Sequence, residues 1–494
     1  MPHTANEHSI DAGTLWFMQR PHAHMCKHTY VGSHEGLHDA LAFGSVINIT
    51  SSGIALIHNH RIYNSMKNNN EWMVSMINTL ENQLDSMKKS STHEYTECTY
   101  SMARNTIEAI HEELSKYENE TTVMLAVGDA VFFMKDDVGM TSLGYTQNPF
   151  CLSHTHYANE IDPMCIYSYD RISGALDSWL KHSSTLVDTY ISKINVISKY
   201  IAMDKHSEYL YLQRHLETVA TNKCAGEYTL RRDLQAEDEV AEFIQIFRNS
   251  VVQRMVNGNI CIFFSGGVDS MLLAVFLHHS VASDQKIYLI NTSFGQSSDR
   301  NIGKARYEEL CSMFKQRTFV FVANDIDIDT LRAAEAHIHR LLCPKVKPMD
   351  FNIAATLFFT AKEARKYSNV AYAGSGADEL FGGYSRYTKC EFRDSMLFDL
   401  LTISHHNLCR DSRMMSDNQI ECRYPFLDSK LIRYSLSISD QMILGAGLNK
   451  LIIREVLRRY GFANAANVPK KAMQYGSGAF KMENKYSAYN KNHQ

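Results

Sequence analysis

Long apolar runs are missing from this chain. No stretch of its 494 residues approaches the ~18 apolar residues that a membrane-spanning helix needs, so no membrane partner is expected. Positive charge is not in surplus: 50 Lys and Arg stand against 54 Asp and Glu, a formal net charge of -4. That balance leaves no electrostatic footprint for general nucleic-acid or membrane-surface binding. The eleven cysteines include no C-x-x-C pair, and their odd number prevents all of them from pairing within one chain. A reducing compartment, hence a cytoplasmic location, is the default expectation. The opening residues, MPHTANEHSIDAG, lack the basic start and apolar core of a secretory signal, which points the same way. Internal repeats and low-complexity linkers are also absent. What remains is ordinary globular composition, 45% hydrophobic and 21% charged, in a chain long enough for roughly two to four domains.

The stretch that organises the rest is NICIFFSGGVDSMLLAVFLHH, residues 259–279. Ile260 to Phe264 form a short β-branched and aromatic run, the length of a buried strand. Ser265-Gly266-Gly267 breaks it, and Met271, Leu272, Val275 and Phe276 then recur at helical spacing. The order is strand, glycine turn, helix. A helix N-terminus offers unpaired N–H groups and a partial positive charge that suit a phosphate, and glycines let the backbone approach an anion closely. Without a lysine in the turn, this is not the GxxxxGK[ST] nucleotide loop. SGGVDS resembles instead the pyrophosphate loop of ATP pyrophosphatases, which cleave ATP to AMP and pyrophosphate.

Before this stretch, Ala236 to Met255 reads as an amphipathic helix with Val240, Phe243, Ile244, Ile246, Phe247, Val251 and Val252 on its apolar side. After it, Lys286–Phe294 and Arg317–Asp325 read as strands, with Asp327 and Asp329 as a helix cap and solvated loop rather than a metal site. Strand–helix alternation predicts a mostly parallel α/β sheet that binds ligands at its strand C-terminal ends. A second motif, NVAYAGSGADELFGGYSRY (residues 369–387), begins with a strand at Val370–Ala373 and continues into the loop Gly374-Ser375-Gly376-Ala377-Asp378-Glu379.

This second motif resembles the GEGADELFGGY signature of asparagine synthetases. The resemblance implies that Asp269 and Asp378 stand at neighbouring strand ends, where two carboxylates can hold Mg2+ against the pyrophosphate of ATP. It makes Ser265, Gly266, Gly267, Val268, Ser270, Gly374, Ser375 and Gly376 the candidate nucleotide-binding residues. Ser375 stands where the family has a glutamate, and a serine cannot act as a carboxylate base near neutral pH. Further on, NLCRDSRMMSDNQIECRYPFLD (407–428) is similar to the family's R-D…E-x-R-x-PFLD segment, with Glu421, Arg423 and Asp428 as its polar members. NKLIIREVL (449–457) matches a K-x-x-x-R helix with Lys450 and Arg454 one turn apart. VPKKAMQYGSG (468–478) lies where the family carries an essential lysine that steadies charge on the phosphates. Lys470 and Lys471 are both candidates for that catalytic role, and counting back from Tyr475 puts Ala472 in the slot. His339-Arg340-Leu341-Leu342 before Cys343-Pro344, RYPFLD and PKKAMQYGSG are closest to the branch of asparagine synthetase domain-containing proteins.

Residues 1–175 carry fainter echoes of the family's glutamine-hydrolysing domain: Gln19-Arg20-Pro21, LIHNHRIYN (56–64), KDDVGMTSLGY (135–145) and EIDPMCIYSYD (160–170). Its chemistry is expected to be lost. The family's nucleophile is a cysteine directly after the initiator Met, whose free α-amine serves as base. Here that position is Pro2, the nearest cysteine is the internal Cys26, and His60-Arg61 replace the Gly-Glu that follows the oxyanion-hole asparagine, here Asn59. A cation at Arg61 repels glutamine's ammonium. The region of the glutamine-binding Asp reads Asn68-Asn69-Asn70-Glu71. His22, His24, Cys26 and His28 alternate and would share one face of a strand, but no second segment supplies further ligands for zinc.

The sequence thus predicts an α/β chain. A C-terminal parallel-sheet, pyrophosphate-loop (adenine nucleotide α-hydrolase-like) synthetase domain over 239–485 stands behind an N-terminal α+β sandwich of the N-terminal-nucleophile amidotransferase type. The other divisions are an inactive glutamine amidotransferase type-2-like domain over 1–175, a helical connection over 176–238 and a polar tail over 486–494. The function implied is ATP-dependent amide ligation: aspartate adenylation, then amidation by ammonia or glutamine-derived nitrogen, with ATP and Mg2+ as cofactors. If the glutaminase is dead, ammonia comes from solution or another protein. Two rival readings stay open: an ATP-binding pseudoenzyme or scaffold, and a pyrophosphate-loop enzyme acting on another acceptor such as a tRNA base.

Overall fold

The computed structural model describes residues 45–181, apart from 50–54, 60–61, 64–70, 88–91, 116–117, 120, 128, 148–149, 156 and 171, and residues 236–480, apart from 346, 389–391, 446 and 470–472. The chain divides into two compact units, residues 1–136 with 143–183, and residues 137–142 with 184–494.

The first unit is built on β1 (Ser45–Ile49), β2 (Ala55–Asn59), β5 (Thr122–Val127), β6 (Ala130–Lys135), β10 (Cys165–Asp170) and β11 (Leu176–Leu180), paired antiparallel in that order. Smaller ladders join β3 (Ile62–Tyr63) to β4 (Glu118–Asn119), and β7 (Gly144–Gln147) to both β8 (Phe150–Ser153) and β9 (Asn159–Glu160). Period-two alternation sends successive side chains of β5 to opposite faces. Val123, Leu125 and Val127 pack with Ile77, Leu80 and Leu84 of the helix Glu71–Met87 and with Ala103, Ile107, Ile110 and Leu114 of the helix Thr92–Ser115. Those helical residues recur every three or four positions, as one buried helix face requires. Met124 and Ala126 point the other way and pack with Leu143, Leu152 and Ile161.

The helical connection expected from residue 176 begins instead with a strand. β11 pairs with β10, and its odd spacing sends Leu176 to one face of the sheet and Trp179 to the other. The hairpin is closed by Asp170, whose carboxylate accepts the Ser173 N–H at 2.7 Å, while Gly174 takes φ +72°. That bond holds the Asp170 carboxyl below its usual range. An Asp–Gly turn inside DRISGA was the available signal. Residues 182–235 lie outside the described residues.

The second unit is a five-stranded, fully parallel sheet in the order β14 (Phe319–Ile326), β13 (Ile287–Phe294), β12 (Ile260–Phe263), β15 (Val370–Tyr372), β16 (Glu421–Arg423). The order runs outward from β12 in both directions, so the chain reverses its winding between β12 and β15. In an open parallel sheet that is the crevice where ligands bind, at the strand C-terminal ends. Buried on both faces, β12 is apolar throughout. The helix Val268–Ser280 that follows is equally apolar from Met271 to Leu277 because it is covered all round, in part by the helices Ala236–Gln253 and Leu451–Arg459. The amphipathic helix predicted near Ala236 forms over Ala236–Gln253 with Val240, Phe243, Phe247 and Val251 inward. Val252, placed on the apolar side from the sequence, is exposed because it falls off that three-and-four spacing. Among the described residues no helix is long and apolar enough to cross a membrane.

Candidate functional site

The site is assembled where β12 and β15 end. The SGGVDS turn leaves β12 with Gly266 at φ +81°, and a β-carbon there would come within 2.8–2.9 Å of the backbone at Ile302 and Gly303. Only glycine suits both the dihedral and the space. The two serines brace the turn from inside. Ser265 Oγ accepts the Gly267 N–H at 3.2 Å; Ser270 Oγ accepts the Gly266 N–H at 3.2 Å and donates to the Gly267 oxygen at 3.0 Å. Val268 is buried, anchoring the turn. No side chain caps the N-terminus of the helix Val268–Ser280, so its dipole and N–H groups face the crevice, with Asp269 in the first turn.

From the other side β15 runs into Gly374, which lies against Asp269, then half-buried Ser375 and Gly376, the N-cap of the short helix Ala377–Phe381. That helix carries Asp378. Asp269 and Asp378 meet through Lys450. Its Nζ lies 2.7 Å from each oxygen of Asp269 and 2.6 Å from Asp378 Oδ1. The lysine side chain is fully buried, while the two carboxylates keep 19% and 20% of their surface.

Two local features bring Lys450 there. It precedes the helix Leu451–Arg459 with φ +56° and ψ +41°, a left-handed conformation that a side-chain-bearing residue adopts at a cost of roughly 1–2 kcal/mol. At Gly383, a β-carbon would come within 1.8 Å of Asp378 Oδ1 and 2.4 Å of Lys450 Cε, so any larger residue there would separate the pair. Asn449 Nδ2 donates to the Gly383 oxygen at 2.9 Å, tying the lysine's neighbour to the loop after Asp378.

Behind Asp378 sits a second carboxyl. Glu379 is buried, and its Oε1 accepts from Tyr384 Oη at 2.6 Å and Asn407 Nδ2 at 2.8 Å. Burial foremost, with the adjacent Asp378 charge, pushes its pKa up to about 7 despite the Tyr384 hydrogen bond.

Of the residues singled out from sequence, the structure thus brings together Ser265, Gly266, Gly267, Val268, Asp269, Ser270, Gly374, Ser375, Gly376 and Asp378. Lys470, Lys471 and Ala472 lie outside the described residues, as do Pro2, Gln19-Arg20-Pro21, His22 to His28, His60, Arg61 and Asn68 to Asn70. Met473–Gly476 is a short helix, after which the Ser477 oxygen accepts the Phe294 N–H at 2.9 Å, at the C-terminal end of β13. Glu421, Arg423 and Asp428, the polar members of the PFLD segment, are structural. Arg423 pairs with Glu421 and donates to the Arg254 oxygen at 2.9 Å, and Asp428 pairs with the buried Arg254 guanidinium at 2.9 Å. Asp327 is a helix cap, accepting the Thr330 N–H at 2.7 Å. The sequence reading names Lys450 and Glu379 but gives neither a role in the site, and it does not single out Gly383. All three sit inside motifs already singled out, but no periodicity reveals a lysine pulled out of its helix by a left-handed residue.

Among the described residues no group of three or more His, Cys, Asp or Glu is placed around a common metal position. The carboxylates of Asp269 and Asp378 are oxygen donors of the kind Mg2+ takes, but the Lys450 ammonium lies between them.

The asparagine synthase family model matches residues 242–394 and 388–493, just over half of the chain, and the chain belongs to that family. Its relatives include asparagine synthetase domain-containing protein 1 of Mus musculus, 29% identical over 292 residues, 46% of each chain. An asparagine synthetase domain-containing protein of Saccharomyces cerevisiae is 25% identical over 391 residues, 71% of this chain and 68% of its own. Asparagine synthetase B [glutamine-hydrolyzing] of Escherichia coli is 26% identical over 168 residues, 33% of this chain and 27% of its own. The chain spans about half the length of the animal relatives it matches.

Proposed function

We propose that the chain is an ATP-dependent amide ligase of the asparagine synthetase type. In this reading the side-chain carboxylate of aspartate attacks the α-phosphorus of ATP. The P–O bond to the β-phosphate breaks, and pyrophosphate leaves. Ammonia then attacks the acyl carbon of β-aspartyl-AMP, the acyl C–O bond breaks with its electron pair going to AMP, the nitrogen releases one proton to solvent, and asparagine forms. One observation carries the reading: the SGGVDS and ADELFGG turns follow the neighbouring strands β12 and β15 at the switch point, with Asp269 and Asp378 converging on one ammonium.

The uncapped helix N-terminus and the braced turn at Ser265, Gly266, Gly267, Val268 and Ser270 suit a pyrophosphate. Gly374, Ser375 and Gly376 form the opposite wall. The Lys450 ammonium neutralises charge arising on the phosphates, with Lys470 or Lys471 a second source. With the Lys450 ammonium between their oxygens, Asp269 and Asp378 as they stand do not fit Mg2+, and no step is routed through the ion.

The first unit is read as an amidotransferase-type sandwich without glutaminase activity, on the strength of Arg61 in the sequence. Ammonia then comes from solution or from another protein, the location is cytoplasmic, and neither nucleic acid nor membrane is a partner. A second reading, a nucleotide-binding scaffold without amide formation, is favoured by Ser375, which gives the crevice no carboxylate where the family has one.

The test is exchange of labelled pyrophosphate into ATP, with and without aspartate, using Asp269→Ala as control. Aspartate-dependent exchange that the variant loses supports the ligase. ATP binding without exchange supports the scaffold.

A further inference from the structure

Two carboxylates facing a phosphate crevice are ordinarily a seat for a divalent ion. Here a side chain occupies the seat. Lys450 Nζ is within 2.7 Å of three carboxylate oxygens, two on Asp269 and one on Asp378, and the lysine side chain has no exposed surface. Mg2+ bridging the same oxygens needs them at about 2.0–2.1 Å in near-octahedral order. Ion and ammonium therefore compete for one small volume, and like charges so close in a poorly solvated crevice repel.

The ammonium's place is built at three points. Lys450 holds a left-handed backbone that aims it off its helix. Gly383 leaves the room that its Cε and the Asp378 carboxylate occupy. Arg454 fixes the preceding residue, donating to the Asn449 main-chain oxygen at 2.7 Å and to its side-chain oxygen at 3.1 Å.

We propose that Lys450 is the resident cation of the Asp269–Asp378 pair, and that a divalent ion takes that position only when the ammonium is removed. The proposal rests on reading the switch point as a phosphate-facing site. It requires no particular acceptor and no completed reaction.

The experiment is a titration of the full-length, nucleotide-free protein with Mn2+ alone, free Mn2+ being read by electron paramagnetic resonance. The wild type is expected to show no Mn2+ site that Asp378→Asn removes. Lys450→Met is expected to gain one site per chain, at least tenfold tighter than any wild-type binding, and Lys450→Met/Asp378→Asn to lose it. A wild-type site that Asp378→Asn abolishes overturns the proposal, as does a folded Lys450→Met that gains none. Should Lys450→Met fail to fold, the wild-type and Asp378→Asn titrations decide alone. ATP binding, measured separately with the nucleotide, tests the nucleotide reading. Its failure removes that reading and leaves the Mn2+ result standing.

Discussion

Arg454 holds Asn449 at both ends, at its main-chain and its side-chain oxygen, while its Nη1 donates to the carbonyl oxygens of Ala466 and Val468 at 2.7 and 2.9 Å. One buried guanidinium thereby ties the residue before Lys450 to the chain that leads towards Lys470. Arg454→Lys keeps the charge but cannot serve four divergent acceptors. It is expected to cost about 2–4 kcal/mol of stability and to weaken ATP binding several-fold. Thermal unfolding and nucleotide titration of the same preparation check both; an unchanged Tm removes the positioning role.

Gly383→Ala should be more selective. The added carbon meets Asp378 Oδ1 and Lys450 Cε, both at site side chains. The pair must part, leaving a buried ammonium and a carboxylate poorly matched, a loss of about 3 kcal/mol or more. ATP affinity is expected to fall at least tenfold. A variant that binds ATP like the wild type would show that the Lys450–Asp378 pair is dispensable.

Glu379 gives a pH signature. Its folded pKa, about 7, lies above the ordinary 4.5, so the folded state keeps a proton that the unfolded state loses. Below about pH 4.5 both states are protonated and nothing is lost. Between pH 4.5 and 7 stability declines as pH rises, and above 7 the deficit is constant. At about 1.4 kcal/mol per unit, that deficit is on the order of 3 kcal/mol. Glu379→Gln retains a carbonyl for Tyr384 and Asn407 and cannot ionise. It is expected to flatten the urea midpoint between pH 5 and 8 and to exceed the wild type at pH 8. Parallel curves for the two proteins across that range would contradict it.

The Arg254–Asp428 pair separates scaffold from site. Arg254 is fully buried, also donating to Ser250, and Asp428 caps the helix Ser429–Ser437 through the Lys430 N–H. Asp428→Asn leaves an uncompensated buried guanidinium, expected to cost about 3–5 kcal/mol. ATP affinity measured below the lowered Tm should stay within twofold, because the residue touches neither turn of the site.

Much of this architecture is written locally. An apolar run, a glycine turn and a helix at 259–279 announce β12 and its helix, and their repetition announces a parallel sheet. The switch point follows from strand order, which no local pattern carries, but the two motifs after β12 and β15 pointed to the neighbouring ends where Asp269 and Asp378 stand. Lys450 was visible only as one half of a K-x-x-x-R spacing. Its partner Arg454 turned out to bind backbone oxygens, because a left-handed residue before the helix sends the two side chains apart. Glu421, Arg423 and Asp428, the polar members of the PFLD segment, have no role legible in the sequence; they secure Arg254 and the helix ending at Gln253. Burial, which the sequence does not state, decides that role. Leu176–Leu180 is hard to read as a strand from sequence because its apolar residues, Leu176, Trp179 and Leu180, do not alternate with period two.

The central claim is that the switch-point crevice is the ATP site. Gly266→Ala tests it most directly, since its β-carbon collides with the backbone at Ile302 and Gly303 and changes the turn without removing any charge. Equilibrium ATP binding should be compared between wild type and this variant, at matched secondary structure by circular dichroism. The account predicts a loss of at least tenfold in affinity for the variant. ATP bound equally well by both proteins would place the nucleotide elsewhere and contradict it.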